Sequence, residues 1–271
     1  MSRLSFAHPP GAAREVDPGT DLRATILREF TLLTRNRVNF VLSLMPTLVY
    51  LLLMNTSLSN LVHNIDYRGT RLSYDVFLLP MVLMSATLSA ALVSGLALFQ
   101  EELSGIATEL WSYPLRRSRY LIGKITVGIG VVLLQTVVAL VVAALVLRVD
   151  LGLANWAALA LTLVVTAAAF NAMYLVVALA IRDFQLFNII TNTSLPVLLF
   201  SSPSLYSRDD MPLVLRWLST INPVTYGVTA MRDSVAFGLG TAWPSLLVLV
   251  VLAPVSYFAA STALLRRASG M

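Results

Sequence analysis

Residues 125–147, 153–181 and 243–265 of this chain carry no Asp, Glu, Lys, Arg or His. Each run exceeds the ~20 residues of helix that cross a hydrocarbon core about 30 Å thick. A soluble fold has no way to cover several such runs at once. Composition agrees: the chain is 57% hydrophobic and 12% charged, whereas a soluble domain is about 25% charged. The chain reads as a polytopic helical membrane protein.

Three further stretches qualify as spans. Residues 38–58 and 76–98 are uncharged and interrupted only by Pro46 and Pro80, which neighbouring helices can accommodate. Residues 184–206 are uncharged but more polar, with Asn188, Thr191, Asn192, Thr193 and Ser194 ahead of Pro196. The expectation is an all-α integral membrane protein of about six transmembrane helices, one domain over 21–271. Residues 1–20 lack the apolar core of a signal peptide and read as a disordered N-terminal arm. In residues 21–37, Leu22, Ile26, Phe30 and Leu33 recur at helical spacing while Arg23, Arg28, Glu29 and Arg35 fill other positions. That pattern suits an interfacial helix, apolar face on the membrane. A surface helix of a soluble segment is the other reading, and the span starting at once at Val38 speaks against it.

Cation placement sets orientation, since loops on the cytoplasmic side are enriched in Lys and Arg. Six spans put both termini on one side, together with the loops after the second and fourth spans. That side takes 13 of the 19 Lys and Arg, including Arg116, Arg117, Arg119 and Lys124 between the second and third spans. The other side keeps Arg68, Arg71, Arg148, Arg208, Arg216 and Arg232. Both termini are expected in the cytoplasm, and the net charge of +5 is a topology signal with nothing to suggest nucleic-acid binding.

Acids precede the cation cluster. Glu101, Glu102 and Glu109 lie on a segment of helical length, 100–114, closed by Pro114. Glu102, Ile106, Glu109 and Leu110 share one face, with Trp111 beside them. Two readings stay open on these residues: a solvated loop, or a helix that docks a cytoplasmic partner.

The order Glu101 or Glu102, Gly105, Leu110, Pro114, Arg117, Tyr120, Leu121, Gly123, Lys124 resembles the cytoplasmic loop of type-2 ABC transporter permeases, especially the daunorubicin-resistance-like exporters. Met211-Pro212, Asn222-Pro223, Tyr226, Arg232 and Gly238 resemble their closing signature. Ile106 stands where the family often has Thr, and Val224 where Leu is commoner. The resemblance implies a half-transporter that pairs with a second permease, identical or paralogous, and docks a separate ATPase. Glu101, Glu102, Gly105, Thr108, Glu109, Leu110, Trp111, Pro114 and Arg117 would form the ATPase-coupling segment. It also implies a re-entrant hairpin over 212–238, with Asn222, Pro223, Tyr226 and Arg232 at an outer gate. A helix lying flat on the membrane is the other reading of that segment.

The chain's own residues supply no ATP chemistry. A phosphate loop needs GxxxxGK[ST], but Ile125 follows Gly123-Lys124 and Ser118 stands at the first glycine's place. ATP and Mg are therefore expected on the partner ATPase, and no cofactor on this chain. With two histidines and no cysteine, no zinc-type ligand set is expected either. Gln135, Asn171, Asn188, Thr191 and Asn192 fall inside spans, where polar groups face the bundle interior or a wet cavity. Interhelical bonding and a substrate path are both open for them. Ala86, Ala90 and Ser94 form a small-residue stripe suited to close helix packing. The expected function is a permease exporting a hydrophobic or amphiphilic compound, such as an antibiotic, drug or lipid, across a bacterial plasma membrane. A polysaccharide or lipid-linked glycan exporter is the alternative in the same architecture, and an ATP-independent channel the alternative of another class. A membrane-embedded enzyme is disfavoured because the expected spans hold no Asp, Glu or His.

Overall fold

The long helices are built on the uncharged runs and extend past them into charged residues at their ends. The computed structural model describes residues 64–105, 117–146, 151–208 and 211–269, with 23–24, 26–31, 45 and 48–49 from the N-terminal region. The expected arm 1–20, nearly all of the expected span 38–58, and residues 106–116 lie outside the described residues. A two-stranded antiparallel hairpin, β1 (Asn64–Tyr67) and β2 (Thr70–Ser73), leads into α1 (Tyr74–Leu103). Then follow α2 (Arg117–Val146), α3 (Leu153–Ala180), α4 (Phe184–Phe200), α5 (Leu213–Ile221), α6 (Pro223–Ala236) and α7 (Leu239–Ser269). Among the described residues, Tyr74–Leu103, Leu153–Ala180 and Leu239–Arg266 are long and apolar enough to cross a membrane. Tyr120–Gln135 and Phe184–Phe200 are shorter apolar helices.

Local chemistry sets the helix ends. Asp75 lies in the first turn of α1, where a carboxylate meets the positive end of the helix dipole. Asp183 caps α4, its Oδ1 accepting the Leu186 N–H at 2.6 Å. Asn222 caps α6 by accepting from the Val224 N–H at 2.9 Å, and Pro223 takes the first helical position, where its missing N–H goes unneeded. α1 ends at Leu103, with Gly105 at φ +74°, a left-handed conformation that glycine adopts without strain.

The structure departs from the sequence expectation in three places. The all-helical reading missed the hairpin. Its turn is Arg68-Gly69 with φ of +50° and +77°, the positive pair that a type I′ hairpin turn requires. The helix expected over 125–147 starts at Arg117, so Arg119 and Lys124 ride on its first turns and are not in a loop. The helix expected to reach Tyr206 stops at Phe200. There Ser201 and Ser202 return their hydroxyls to the carbonyls of Val197 and Leu199, and Pro203 follows. Serine side chains competing for backbone groups favour such a stop.

Helix α3 is the centre of the bundle, packed on α1, α2, α6 and α7. Near the hairpin end, Leu83, Met84 and Leu88 of α1 meet Leu163 and Phe170 of α3 and Val228 and Met231 of α6. Near the other end, the loop end, Leu98 and Phe99 meet Leu121, Leu175, Phe187 and Leu264. Phe99 and Phe187 stack there with centroids 4.3 Å apart. Ala86 and Ala90 of the small-residue stripe are buried. Helix approach is closest at two glycines. A Cβ on Gly95 would sit 3.0 Å from the Tyr174 carbonyl oxygen, and one on Gly128 only 2.2 Å from Asn171 Oδ1. The space for a side chain at position 128 is taken by Asn171.

Candidate functional site

Two buried polar clusters close the bundle, one at each end. At the loop end the N-terminal helical piece, 26–31, turns Glu29 inward and leaves Leu27 and Phe30 exposed. Lys124 of α2 is 2% exposed. Its Nζ lies 3.0 Å from Glu29 Oε2 and 3.1 Å from Glu101 Oε2. Arg28 bridges the same two carboxylates, 2.7 Å from Glu29 and 3.1 Å from Glu101. Tyr120 donates its hydroxyl to Glu101, and Lys124 lies 5.2 Å above the Tyr120 ring. Two cations thus meet two anions, which is the condition for burying charge at all. The N-terminal piece, the end of α1 and the start of α2 are fastened together by side chains that flank the connection 106–116.

The hairpin end is fastened by α6. Arg232 is 1% exposed and each of its three side-chain nitrogens donates to a carbonyl: Nε to Phe77 O at 3.3 Å, Nη1 to Pro203 O at 2.7 Å, Nη2 to Ser204 O at 2.9 Å. Its guanidinium lies 3.7 Å from the Phe77 ring centroid. Next to it, buried Asp233 accepts the Tyr67 hydroxyl at 2.9 Å and pairs with Arg68 Nη2 at 2.9 Å. Burial, and then Asp233, push the Tyr67 hydroxyl up to about 12. Burial raises the Asp233 carboxyl above its ordinary range, although Tyr67 and both arginines pull it back.

Helix α6 runs between these walls toward the hairpin. Gly227 faces Met84 and Thr166, Arg232 faces Phe77, and Phe237 stacks on Tyr67 at 6.2 Å. Met84 is about 15 Å down α1 from its start at 1.5 Å per residue, so the Asn222-Pro223 corner before Gly227 lies deeper still. Asn222 Nδ2 donates to Leu198 O at 2.6 Å and Ser201 Oγ at 3.0 Å, and Tyr226 donates to Thr220 O at 2.8 Å. These bonds fold α5 back on α6 and tie the corner to the end of α4.

The residues singled out in the sequence separate into groups. Glu101 is buried in the loop-end cluster, and Glu102 beside it is half-buried. Gly105 ends α1, and Arg117 opens α2. Thr108, Glu109, Leu110, Trp111 and Pro114 lie outside the described residues. Gln135 and Asn171 are buried within the bundle, and Thr191 is buried with its hydroxyl on Phe187 O. Asn188 is half-buried and Asn192 exposed on α4. That helix buries only Phe187, Thr191 and Leu199. Its open face carries Asn192 among Phe184, Ile189, Ile190, Val197 and Phe200.

The profile of the ABC-2 type transporter family matches residues 20–236, from the N-terminal helical region through α6. The chain belongs to the ABC-2 type transporter family. It is a multi-pass membrane protein, the membrane permease of an ABC transporter, and a transport subunit of a kind that generally works with an ATPase partner. No curated protein matches the chain.

Sequence reasoning on this ABC-2 permease missed the partners that make the two clusters. Lys124 read as a topology signal, and Arg28 and Glu29 as the polar face of an interfacial helix. Nothing in the sequence spacing links position 29 to 124. Tyr67 and Arg68 had a readable signal: alternating residues on both sides of an Arg-Gly pair, the mark of a short hairpin. Among the described residues no group of His, Asp and Glu is arranged to hold a metal ion.

Proposed function

We propose that this permease is half of a daunorubicin-resistance-like exporter, driving a hydrophobic or amphiphilic compound such as an antibiotic or lipid out of a bacterial cell. The observation that carries this reading is the open face of α4, where Asn192 stands exposed among large apolar side chains. Asn192 returns its Nδ2 to Asn188 O at 2.9 Å, yet a polar side chain at membrane depth ordinarily faces protein or a wet cavity. A second permease, identical or paralogous, brought against this face would leave Asn188 and Asn192 lining a path of mixed polarity between the two copies. That path suits an amphiphile. Gln135, Asn171 and Thr191, turned into the subunit, serve packing.

Coupling is assigned to the loop end. A separate ATPase, carrying ATP and Mg, docks on the segment 100–114, where Glu102 and Glu109 would meet its basic groups. Glu101 acts indirectly, holding the end of α1 to α2 and to the N-terminal helix. Both termini lie in the cytoplasm, six spans cross the plasma membrane, and α5–α6 form a re-entrant hairpin whose Asn222-Pro223 tip gates the outer exit. The back-folded corner and the contacts of α6 beside Met84 and Thr166 support that hairpin. Irregular backbone at membrane depth has to be buried in protein, and Asn222 is.

Topology is tested with introduced cysteines, because the chain has none of its own. Cysteine at Ser118 should resist an impermeant thiol reagent in intact cells, and cysteine at Thr70 should react. The opposite pattern would reverse the orientation. Function is tested by reconstitution with the ATPase. Substrate should move only with hydrolysable ATP, and bulk at Gly227 should impair export more than ATPase binding. Gradient-driven flux through the permease alone would favour a channel, and export of glycan in place of amphiphile the polysaccharide reading.

A further inference from the structure

Helix α4 is held to the bundle at few points. It packs chiefly on α1 and buries only Phe187, Thr191 and Leu199. The Tyr174 and Ser194 hydroxyls, 2.8 Å apart, join its middle to α3. Asn222 holds Leu198 O and Ser201 Oγ at its far end. The broad contact is at its start. Asp183 caps the helix there, and Phe184 and Phe187, three residues apart, share one face. Both stack on Phe99 of α1, with centroids 6.2 and 4.3 Å away. A helix with so few buried contacts belongs to the readily displaced part of a fold.

Phe99 sits on the stretch of α1 that leads into the segment 100–114. The α1 backbone rests on α3 at Gly95, where a Cβ would meet the Tyr174 carbonyl oxygen at 3.0 Å. From there to the end of α1 at Leu103 is about two turns, or about 12 Å. Within those turns Phe99 and Glu101 point about 160° apart, at 100° per residue. Glu101 grips α2 through Lys124 and Tyr120. Phe99, itself 1% exposed, grips α4. The end of α1 is wedged between two helices, one held by charge and the other by stacked rings.

We propose that Phe99 is a positioning residue for transport, passing displacement of the ATPase-facing end of α1 to α4. This rests on the reading above that an ATPase docks on 100–114 and that α4 presents Asn188 and Asn192 to the path. Close-packed side chains transmit strain because a protein interior compresses little. Rings 4.3 Å apart with planes 6° apart leave no slack between the helices. Asn188 follows Phe187 directly, and Asn192 lies one turn beyond Asn188. A shift at Phe187 therefore carries both amides with it, and the single hydrogen bond at Ser194 offers little resistance.

The chain has no cysteine, so bimane on Ile189→Cys, at an exposed position of α4, reports on that helix in nanodiscs holding the permease with its ATPase. Trapping the ATPase with ATP and vanadate should shift the bimane emission. Phe99→Ala should cut that shift severalfold while ATPase co-purification and nucleotide trapping stay as in the native complex. Phe99→Leu, which keeps bulk at this position, should retain the shift. Leu163→Ala, a cavity in the hairpin-end core, should lower the thermal midpoint as Phe99→Ala does and yet leave the shift intact, which separates transmission from loss of stability. A native permease that fails to bind the ATPase would sink the docking reading and this proposal together. With the ATPase bound and trapped, a native complex without a shift would overturn the role of Phe99 and leave docking in place. So would a shift that survives Phe99→Ala, or one lost equally in Leu163→Ala.

Discussion

The permease carrying Lys124→Met is expected to melt well below the native protein. It should also lose the contact between its N-terminal helix and the bundle. The methionine fits the volume, but it leaves Glu29 and Glu101 buried with Arg28 as their remaining cation. Removing one partner from a buried ion pair costs about 3–5 kcal/mol, a large part of the ~5–15 kcal/mol that separates folded from unfolded states. Lys124→Arg should keep most of the stability. Adding Glu29→Gln to Lys124→Met should restore part of the loss, because it deletes the carboxylate that the first change orphaned. Contacting residues usually couple by about 0.5–3 kcal/mol. The measurement is the thermal midpoint of the single and double variants in lipid nanodiscs. Strict additivity would mean that Lys124 and Glu29 do not meet.

That cluster marks the limit of what the sequence disclosed. Uncharged runs are legible because a bilayer leaves a helix few alternatives, and the starts of α3 and α4 fall at Leu153 and Phe184, where the uncharged stretches begin. Charged positions are harder. A lysine near the membrane reads as a loop residue on base rates, yet Lys124 is drawn into the bundle by two carboxylates, one of them 95 positions away. Long-range pairing of that kind leaves no periodicity in a single sequence. Asn222-Pro223 was legible for the converse reason, since capping and the proline ring act on adjacent residues. The hairpin was missed because a search for long apolar runs passes over four-residue strands.

Arg232→Met is the other change expected to have a large effect, and the contrast with its neighbours identifies why. It removes three hydrogen bonds to carbonyls of α1 and of the turn after α4, together with the contact on the Phe77 ring. Bonds to a charged group are worth about 1.5–3 kcal/mol each; even far from additive, their loss exceeds 3 kcal/mol. Arg232→Lys should recover little, because an ammonium cannot hold three separately placed acceptors as a planar fork does. Asp233→Asn should matter much less. The amide still accepts from Tyr67, and the ion pair it loses ends on an Arg68 that is half exposed and can turn to solvent. Thermal midpoints should therefore fall steeply for Arg232→Met and Arg232→Lys and slightly for Asp233→Asn and Arg68→Ala. The same order should appear in proteolysis of residues 201–212, the segment whose Pro203 and Ser204 carbonyls the guanidinium holds. Equal losses at 232 and 233 would mean that the hairpin tether, and not the arginine fork, closes this end of the bundle.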